Sequence, residues 1–137
     1  MDKSFENGCV LIVGGSGGIG SLCAQEFAQS GARVAITYYK NEQAAIDVAN
    51  DVNKDVKIYQ LDNSDPKSVE ETFQKVVNDH GSMNTLVNAA GFDIPQKFIS
   101  EIDIDLWKSV IDADSFLILL NLDYPICESL KLSLIHI

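Results

Sequence analysis

The sequence predicts a three-layer α/β fold, in which a doubly wound parallel sheet is covered by helices on both faces. Short apolar runs alternate along the chain with longer segments of helical periodicity. A glycine-rich turn joins the first apolar run to the first helical segment. Strands that alternate with helices in this way form right-handed β–α–β units, which together give a parallel sheet.

The first β–α–β unit has a signal at each boundary. Residues 9–13 are all apolar, as expected of a strand that is buried on both faces. The helix that follows spans about 18–29 and ends at Gly31, a residue typical of the helix C-terminus. Its apolar stripe is predicted to consist of Leu22, Cys23, Phe27 and Ala28. Residues 33–38 form the second strand.

The later elements are bounded by capping residues. Asn41 can cap the second helix, and Asp65 followed by Pro66 is typical of the start of a third helix, which Gly81 ends. A fourth helix begins near 103–105. The remaining predicted strands are 56–61, 85–88 and 133–137, which brings the sheet to about five strands in one domain over residues 1–137.

Composition excludes several classes of partner. The net charge of the 137 residues is −10, and no basic patch is visible, which argues against nucleic acid and anionic membranes. The N-terminus lacks the apolar core of a signal peptide. The longest apolar run, 116–120, is too short to span a bilayer.

The cysteines and histidines give no sign of a disulfide framework or a metal site. Cys9, Cys23 and Cys127 are scattered without a C-x-x-C motif, so we expect reduced, buried thiols in a cytoplasmic protein. His80 and His136 are distant from each other and from any cysteine pair, so no metal is predicted.

The turn after the first strand has the composition of a phosphate-binding site. Two glycine registers fit it: Gly15-x-Gly17-x-x-Gly20 and Gly14-x-x-x-Gly18-x-Gly20. Glycine permits close approach of the backbone to a ligand, and a helix N-terminus carries partial positive charge. A Walker A loop is excluded because no Lys-Ser/Thr follows the glycines. The alternative is a flexible turn between a core strand and a core helix.

The end of the second strand bears on the choice of cofactor. Dinucleotide sites that prefer NAD place an acidic residue there, whereas this chain has Tyr38 and, two residues later, Lys40. Lys40 can attract a 2′-phosphate, so NADP(H) is preferred and NAD(H) is possible. The alternative for Lys40 is an ordinary surface lysine.

Two more strand ends carry polar side chains. Asp62 follows the third strand and could accept hydrogen bonds from an adenine amino group, or it could serve as a turn residue. Asn88 ends the fourth strand, where its amide could bind a ribose or the backbone of neighbouring strands.

Three motifs in this order resemble those of the short-chain dehydrogenase/reductase family. They are Val13-Gly14-x-x-x-Gly18-Ile19-Gly20, Leu61-Asp62 and Leu86-Val87-Asn88-Ala89-Ala90-Gly91. The resemblance implies a Rossmann-type sheet, of which this chain is a truncated part, and hydride transfer between NAD(P)(H) and a carbonyl or secondary alcohol. Residues 37–45 are most similar to reductases of the 3-oxoacyl-thioester type.

The same resemblance implies a role for each motif. The pyrophosphate is expected beside Gly14, Ser16, Gly17, Gly18, Ile19 and Gly20. Adenine is expected beside Asp62 and Asn63, and the nicotinamide ribose beside Asn88, Ala89, Ala90 and Gly91. Val13 stands where the family usually has threonine, and Ala89 stands where it usually has a second asparagine. Both changes remove a polar side chain and keep the backbone cradle.

The fourth helix carries an acid among apolar residues. Asp114 shares a helical face with Trp107, Val110, Ile111 and Ile118, where a carboxylate is costly unless it is hydrogen-bonded or protonated. In the family an asparagine that supports a proton relay usually occupies this position, so Asp114 is the one candidate catalytic residue. The alternative is a partly hydrated acid on an uncovered helix.

The remaining family chemistry is absent from these residues. The family needs a serine after strand five and then Tyr-x-x-x-Lys, and neither Tyr38, Tyr39 nor Tyr124 has a lysine four residues later. The chain is therefore interpreted as the cofactor-binding half of an oxidoreductase, inactive alone. The alternatives are a non-catalytic dinucleotide-binding module or an inactive fragment. The resemblance also implies a homo-oligomer.

Overall fold

Strands and helices alternate in the computed structural model, which describes residues 8–52, 55–91, 98–111 and 133–136. The strands are β1 (Cys9–Val13), β2 (Val34–Tyr38), β3 (Lys57–Gln60), β4 (Met83–Asn88) and β5 (Ser133–His136). The helices are α1 (Gly18–Gln29), α2 (Glu42–Val52), α3 (Pro66–His80) and α4 (104–111), the last preceded by a 3-10 turn at Ile99–Glu101.

All described strands pair in parallel in one sheet with the order β3-β2-β1-β4-β5. The chain starts at the centre, moves outward to β3, and returns to the other side of β1 to form β4. The direction of strand addition therefore reverses beside β1, which is where open α/β sheets form a crevice at their carboxyl edge. The predicted fold class is confirmed.

Capping residues set the helix boundaries as predicted. Asn41 Oδ1 accepts from the Ala44 N–H at 3.1 Å, at the start of α2. Asp65 caps the start of α3. The C-cap residue of α3 is Gly81, whose φ of 83° is rarely adopted by residues that have a side chain. Asp103 begins α4, because its carboxylate accepts from the Leu106 N–H at 2.7 Å. Strands β2 and β3 are shorter than predicted, and β4 begins two residues earlier, at Met83.

The core has two layers, one on each face of the sheet. Every residue of β1 is buried, and successive side chains point to opposite faces. Leu11 packs on the α3 side with Val76 and Leu86, whereas Ile12 packs on the side of α1 and α2 with Ala24 and Ala45. The apolar residues of β1 thus contribute to the core layers on both faces of the sheet.

The predicted apolar stripe of α1 is wrong at one position. Cys23, Phe27 and Ala28 pack against the core, but the Leu22 side chain is 61% exposed. The buried residues of α1 are Gly20 and Ala24, whose small size lets the helix lie close to the sheet and turns Leu22 outward.

None of the helices within the described ranges is long and apolar enough to cross a bilayer.

The thiols in the described ranges are unpaired, and one of them is deeply buried. Cys9 is 1% exposed, and burial raises the pKa of its thiol to about 12, which keeps it protonated and unreactive at neutral pH. Cys23 is half-buried, so the prediction of burial holds only in part. Cys127 lies outside the described residues.

Leu86→Ala should lower the free energy of unfolding by about 2–5 kcal/mol, because it leaves a cavity in a fully buried position. The matched control is Leu22→Ala on exposed α1 surface, which should change stability by no more than about 0.5 kcal/mol. Urea denaturation of both variants measures the difference. Equal losses would contradict the two-layer core described here.

His80 is a buried histidine in the last turn of α3. Among the described residues its Nε2 atom has no hydrogen-bond partner. Burial lowers the pKa of His80 below its usual value of 6.5, and the charges of Lys57 and Arg33 lower it further, whereas Asp79 opposes them. The folded chain therefore takes up this proton at lower pH than the unfolded chain does.

The stability of the chain should accordingly fall as the pH drops below about 6.5, because the unfolded state then binds a proton that the folded state does not. His80→Gln should show a shallower loss between about pH 7.5 and about pH 5.5. Urea midpoints of both proteins at each pH test this. Parallel pH profiles would show that His80 does not carry the effect.

Candidate functional site

A cleft of about 550 Å³ lies at the carboxyl edge of the sheet. The end of β1 contributes Val13, and the turn after it contributes Gly14, Ser16 and Gly17. The end of β2 contributes Thr37, Tyr38 and Tyr39. The segments after β3 and β4 contribute 61–64 and 89–91, and α4 contributes Ser109. Four consecutive strand ends thus meet at one concave surface.

Most of the predicted site residues line this cleft. They are Gly14, Ser16, Gly17, Tyr38, Asp62, Asn63, Ala89, Ala90 and Gly91. Five more predicted residues adjoin the cleft in sequence without lining it: Gly18, Ile19, Gly20, Lys40 and Asn88. The structure adds Val13, Thr37, Tyr39, Leu61, Ser64 and Ser109, which the sequence analysis did not assign to the site. All but Ser109 flank predicted residues, so only Ser109 lacked a sequence signal.

Gly14 makes the turn possible by its conformation. Its φ of 74° is rarely adopted by residues that have a side chain, and a Cβ atom there would lie 2.7 Å from the Ala90 Cα. The Ala89 N–H donates to the Val13 carbonyl at 2.9 Å, which holds the segment after β4 against this turn. The turn is thus fixed by close backbone contact, which favours the cradle over a flexible connection.

The N-terminus of α1 faces the same edge. Gly17 is its N-cap and provides no side-chain hydrogen bond, while its own N–H donates to the Gly14 carbonyl at 3.0 Å. The N–H groups of the first helical turn have no acceptor within a helix and carry partial positive charge. A ligand phosphate is the group that such a helix end binds best.

Gly18 and Gly20 differ in what surrounds them. A Cβ at Gly20 would collide with the carbonyl oxygen of Gly14 and with Gly15, whereas a Cβ at Gly18 would have nothing within 4 Å. Gly20 is therefore needed for close packing of α1 against the turn. Gly18 leaves open space beside the helix start.

Thr37 connects the turn to β2. Its side chain is 2% exposed, and its Oγ1 accepts from the Gly14 N–H at 3.1 Å. Val13, the last residue of β1, has only an apolar side chain. The hydroxyl at this part of the sheet edge therefore comes from the neighbouring strand.

The aromatic pair after β2 places Lys40 near the cleft. The Lys40 ammonium lies 4.9 Å from the centroid of the Tyr39 ring, and the Tyr39 side chain lines the cleft. Tyr38 is hydrogen-bonded to Glu42, and both its burial and this carboxylate raise the pKa of its hydroxyl. Among the residues that the structure describes, Lys40 is the only cation at the end of β2, and its ammonium lies against the Tyr39 ring.

Asp62 plays a turn role and also lines the cleft. Its Oδ1 accepts from the Ser64 backbone N–H at 2.9 Å and from the Ser64 hydroxyl at 2.6 Å. Its own N–H donates to the Ser68 hydroxyl at 3.0 Å. These bonds fix the carboxylate at the cleft wall, so the turn interpretation holds without excluding contact with a base.

Asn88 is completely buried at the end of β4. Its Oδ1 accepts from the Ala90 N–H at 3.3 Å, and its register partner across the sheet is Val13. Its Nδ2 has no hydrogen-bond partner within the described part of the chain. A buried amide donor of this kind is costly unless an acceptor reaches it.

The α4 segment contributes Ser109 to the cleft but leaves several of its large apolar residues exposed. Trp107 is 56% exposed and Ile111 is 42% exposed. Asp114, the candidate catalytic residue, lies outside the described residues. No group of three His, Cys, Asp or Glu side chains that could hold a metal ion occurs in the described ranges.

Gly20→Ala should lower the free energy of unfolding by about 1–3 kcal/mol, because its methyl group must displace the turn backbone. Gly18→Ala is the matched control in the same helix, and open space there should limit its effect to less than about 1 kcal/mol. Urea denaturation compares them. Similar effects of both substitutions would mean that the turn is loosely packed.

Most of the chain matches a known protein family. Residues 8–120 match the model described as short chain dehydrogenase. The sorbose reductase of Candida albicans is 33% identical over 119 residues, which are 81% of this chain and 41% of that protein. The sorbose reductase of Schizosaccharomyces pombe is 30% identical over 112 residues, with 79% and 44% covered. The chain thus spans less than half the length of these relatives.

Solved structures share the fold. A mutant short-chain dehydrogenase/reductase of Serratia marcescens superposes with a TM-score of 0.80 at 25% identity, covering 95% of this chain and 55% of that one. A short chain dehydrogenase from Burkholderia cenocepacia, solved with NADP, gives 0.75 at 28% identity, covering 82% and 47%. A 3-ketoacyl-(acyl-carrier-protein) reductase from Brucella melitensis, complexed with NADH, also gives 0.75, at 22% identity, covering 82% and 46%.

Proposed function

This chain belongs to the short-chain dehydrogenase/reductase family, and we propose that it is the dinucleotide-binding part of an NAD(P)(H)-dependent oxidoreductase. The observation that carries the proposal is the cleft at the switch point of the sheet. There the glycine turn, the N-terminus of α1 and the ends of β2, β3 and β4 meet. In parallel α/β sheets this is where nucleotides bind.

The residues present fit a dinucleotide. The cradle has no room for a side chain at Gly14 or Gly20, so the backbone of the turn can approach a ligand closely. The lining of the cleft includes Asp62, the glycine turn and Gly91. Its walls combine apolar surface with a few polar groups, as ligand sites usually do.

Each wall of the cleft has a proposed partner in the cofactor. The residues 14–20 hold the pyrophosphate through backbone N–H groups and the dipole of α1. Asp62 and Asn63 lie beside adenine, and 88–91 lie beside the nicotinamide ribose. The bound nicotinamide supplies the hydride in carbonyl reduction and accepts it in alcohol oxidation.

Equilibrium titration of the chain with NADPH, followed by cofactor fluorescence, tests the proposal. We expect saturable binding and an upward shift of the thermal unfolding transition, because a ligand that binds only the folded state stabilises it. Absence of saturable binding to a chain that unfolds cooperatively would overturn the assignment.

We propose a preference for NADP(H) over NAD(H), with Lys40 as the residue that attracts the 2′-phosphate. The end of β2 offers a cation and no acid between Thr37 and Lys40. Structures of similar fold were solved with NADP and with NADH, so the proposed preference rests on the residues at the end of β2. The contact of Lys40 with the Tyr39 ring keeps the ammonium at the cleft rim.

Lys40→Ala should weaken NADPH binding by roughly threefold to tenfold and leave NADH binding within about twofold, because only NADPH carries the 2′-phosphate. Lys75→Ala, which removes an exposed lysine of α3, is the matched control and should affect neither cofactor. Fluorescence titrations of the three proteins measure both dissociation constants. An equal loss for both cofactors would reject Lys40 as the selecting residue.

The whole protein is proposed to move a hydride between the nicotinamide and a carbonyl or secondary alcohol. For these 137 residues alone we propose binding without turnover, because they contain no Tyr-x-x-x-Lys proton donor. This absence is also what favours the second candidate, a dinucleotide-binding module without catalysis. NADPH-dependent reduction of a ketone by these 137 residues would refute the proposal of binding without turnover and also the proposal of a non-catalytic module.

We also propose a domain assignment, a cellular location, a catalytic residue and self-association for the whole protein. Residues 1–137 form one incomplete NAD(P)-binding domain in a cytoplasmic protein. Asp114 is proposed to support proton transfer at the position where the family has asparagine. Self-association through homo-oligomer contacts is proposed from family membership alone.

A further inference from the structure

The two sides of the glycine turn are held by different means. On the β4 side the strand pairing continues to the end of β1, where Val13 pairs with Asn88. On the β2 side the pairing with β1 ends earlier, at Ile12 and Ile36. Beyond that point the turn is joined to β2 by a hydrogen bond from the Gly14 N–H to Thr37 Oγ1, 3.1 Å long.

Gly14 transmits its position to the start of α1. Its carbonyl oxygen accepts from the Gly17 N–H at 3.0 Å, and Gly17 is the N-cap of the helix. Its Cα lies against the Ala90 backbone, which leaves no space for a displacement towards β4. If the Gly14 N–H loses its acceptor, we expect Gly14 to shift, and the backbone N–H groups at the start of α1 to shift with it.

We propose that Thr37 is a positioning residue for dinucleotide binding, which sets the orientation of the phosphate-binding turn by accepting the Gly14 N–H. The inference rests on the proposed function and names a residue that it did not assign. The buried hydroxyl acts through the backbone of Gly14, and its loss leaves a backbone donor unpaired in a partly buried turn. The turn then relaxes away from the geometry that receives a pyrophosphate.

A matched control separates this role from a general contribution to stability. Thr72 is also buried, at 3% exposed, and its hydroxyl donates to the Gln60 carbonyl at 3.0 Å. It lies on α3 and does not line the cleft. The same replacement, threonine by valine, removes one buried hydroxyl in each case.

The experiment compares Thr37→Val, Thr37→Ser and Thr72→Val by NADPH titration and thermal unfolding. Thr37→Val should weaken binding by about fivefold to tenfold, the equivalent of one lost hydrogen bond. Thr37→Ser, which keeps the hydroxyl, should restore affinity to within about twofold. Thr72→Val should lower the unfolding temperature and leave the dissociation constant within about twofold.

The outcomes distinguish this inference from the function on which it rests. If the unchanged chain binds no NADPH, the proposed function fails and the role of Thr37 with it. If the unchanged chain binds NADPH and Thr37→Val binds it equally well, only the role of Thr37 is overturned. If Thr37→Val does not fold, hydrogen exchange of the unchanged chain decides the matter. A protected Gly14 amide supports the proposal, and a rapidly exchanging one refutes it.

Discussion

The backbone at Gly14 is the constraint on which the rest of the structure depends. Its positive φ turns the chain out of the central strand, and its Cα fits against Ala90 with no room for a side chain. That contact brings the end of β4 beside the end of β1. The same turn delivers the N-terminus of α1 to the sheet edge. The placement of α1 and the shape of the cleft therefore depend on one residue without a side chain.

The two-layer core explains why this turn is rigid. β1 is buried on both faces, with Leu11 against the α3 layer and Ile12 against the α1 and α2 layer. A strand that is packed from both sides cannot shift to relieve strain at its end. The position of Gly14 is thus set by core packing, and Gly20 lets α1 lie close enough to complete it.

Polar groups at the strand ends are satisfied mostly by turn backbone, which fixes them in space. Asp62 is held by Ser64, Thr37 by the Gly14 N–H, and Asn88 by the Ala90 N–H. The Asn88 Nδ2 donor keeps no partner within the described ranges. Fixed dipoles and charges at a concave edge favour ligand binding because they need little reorganisation. The net charge of the chain is −10, so the helix dipole of α1 and the ammonium of Lys40 are local positive features on an acidic protein.

The sequence by itself determined the fold class, the succession of strands and helices along the chain, and most of the residues that line the cleft. Apolar runs and glycine spacing are local signals, and a parallel sheet brings all carboxyl strand ends to one edge. Only the tertiary structure decided that Thr37 accepts from Gly14, that Leu22 faces outward and that Ser109 reaches the cleft. These depend on how closely α1 packs on the sheet and where α4 lies. Such distances arise from contacts between residues far apart in sequence, so no local pattern encodes them.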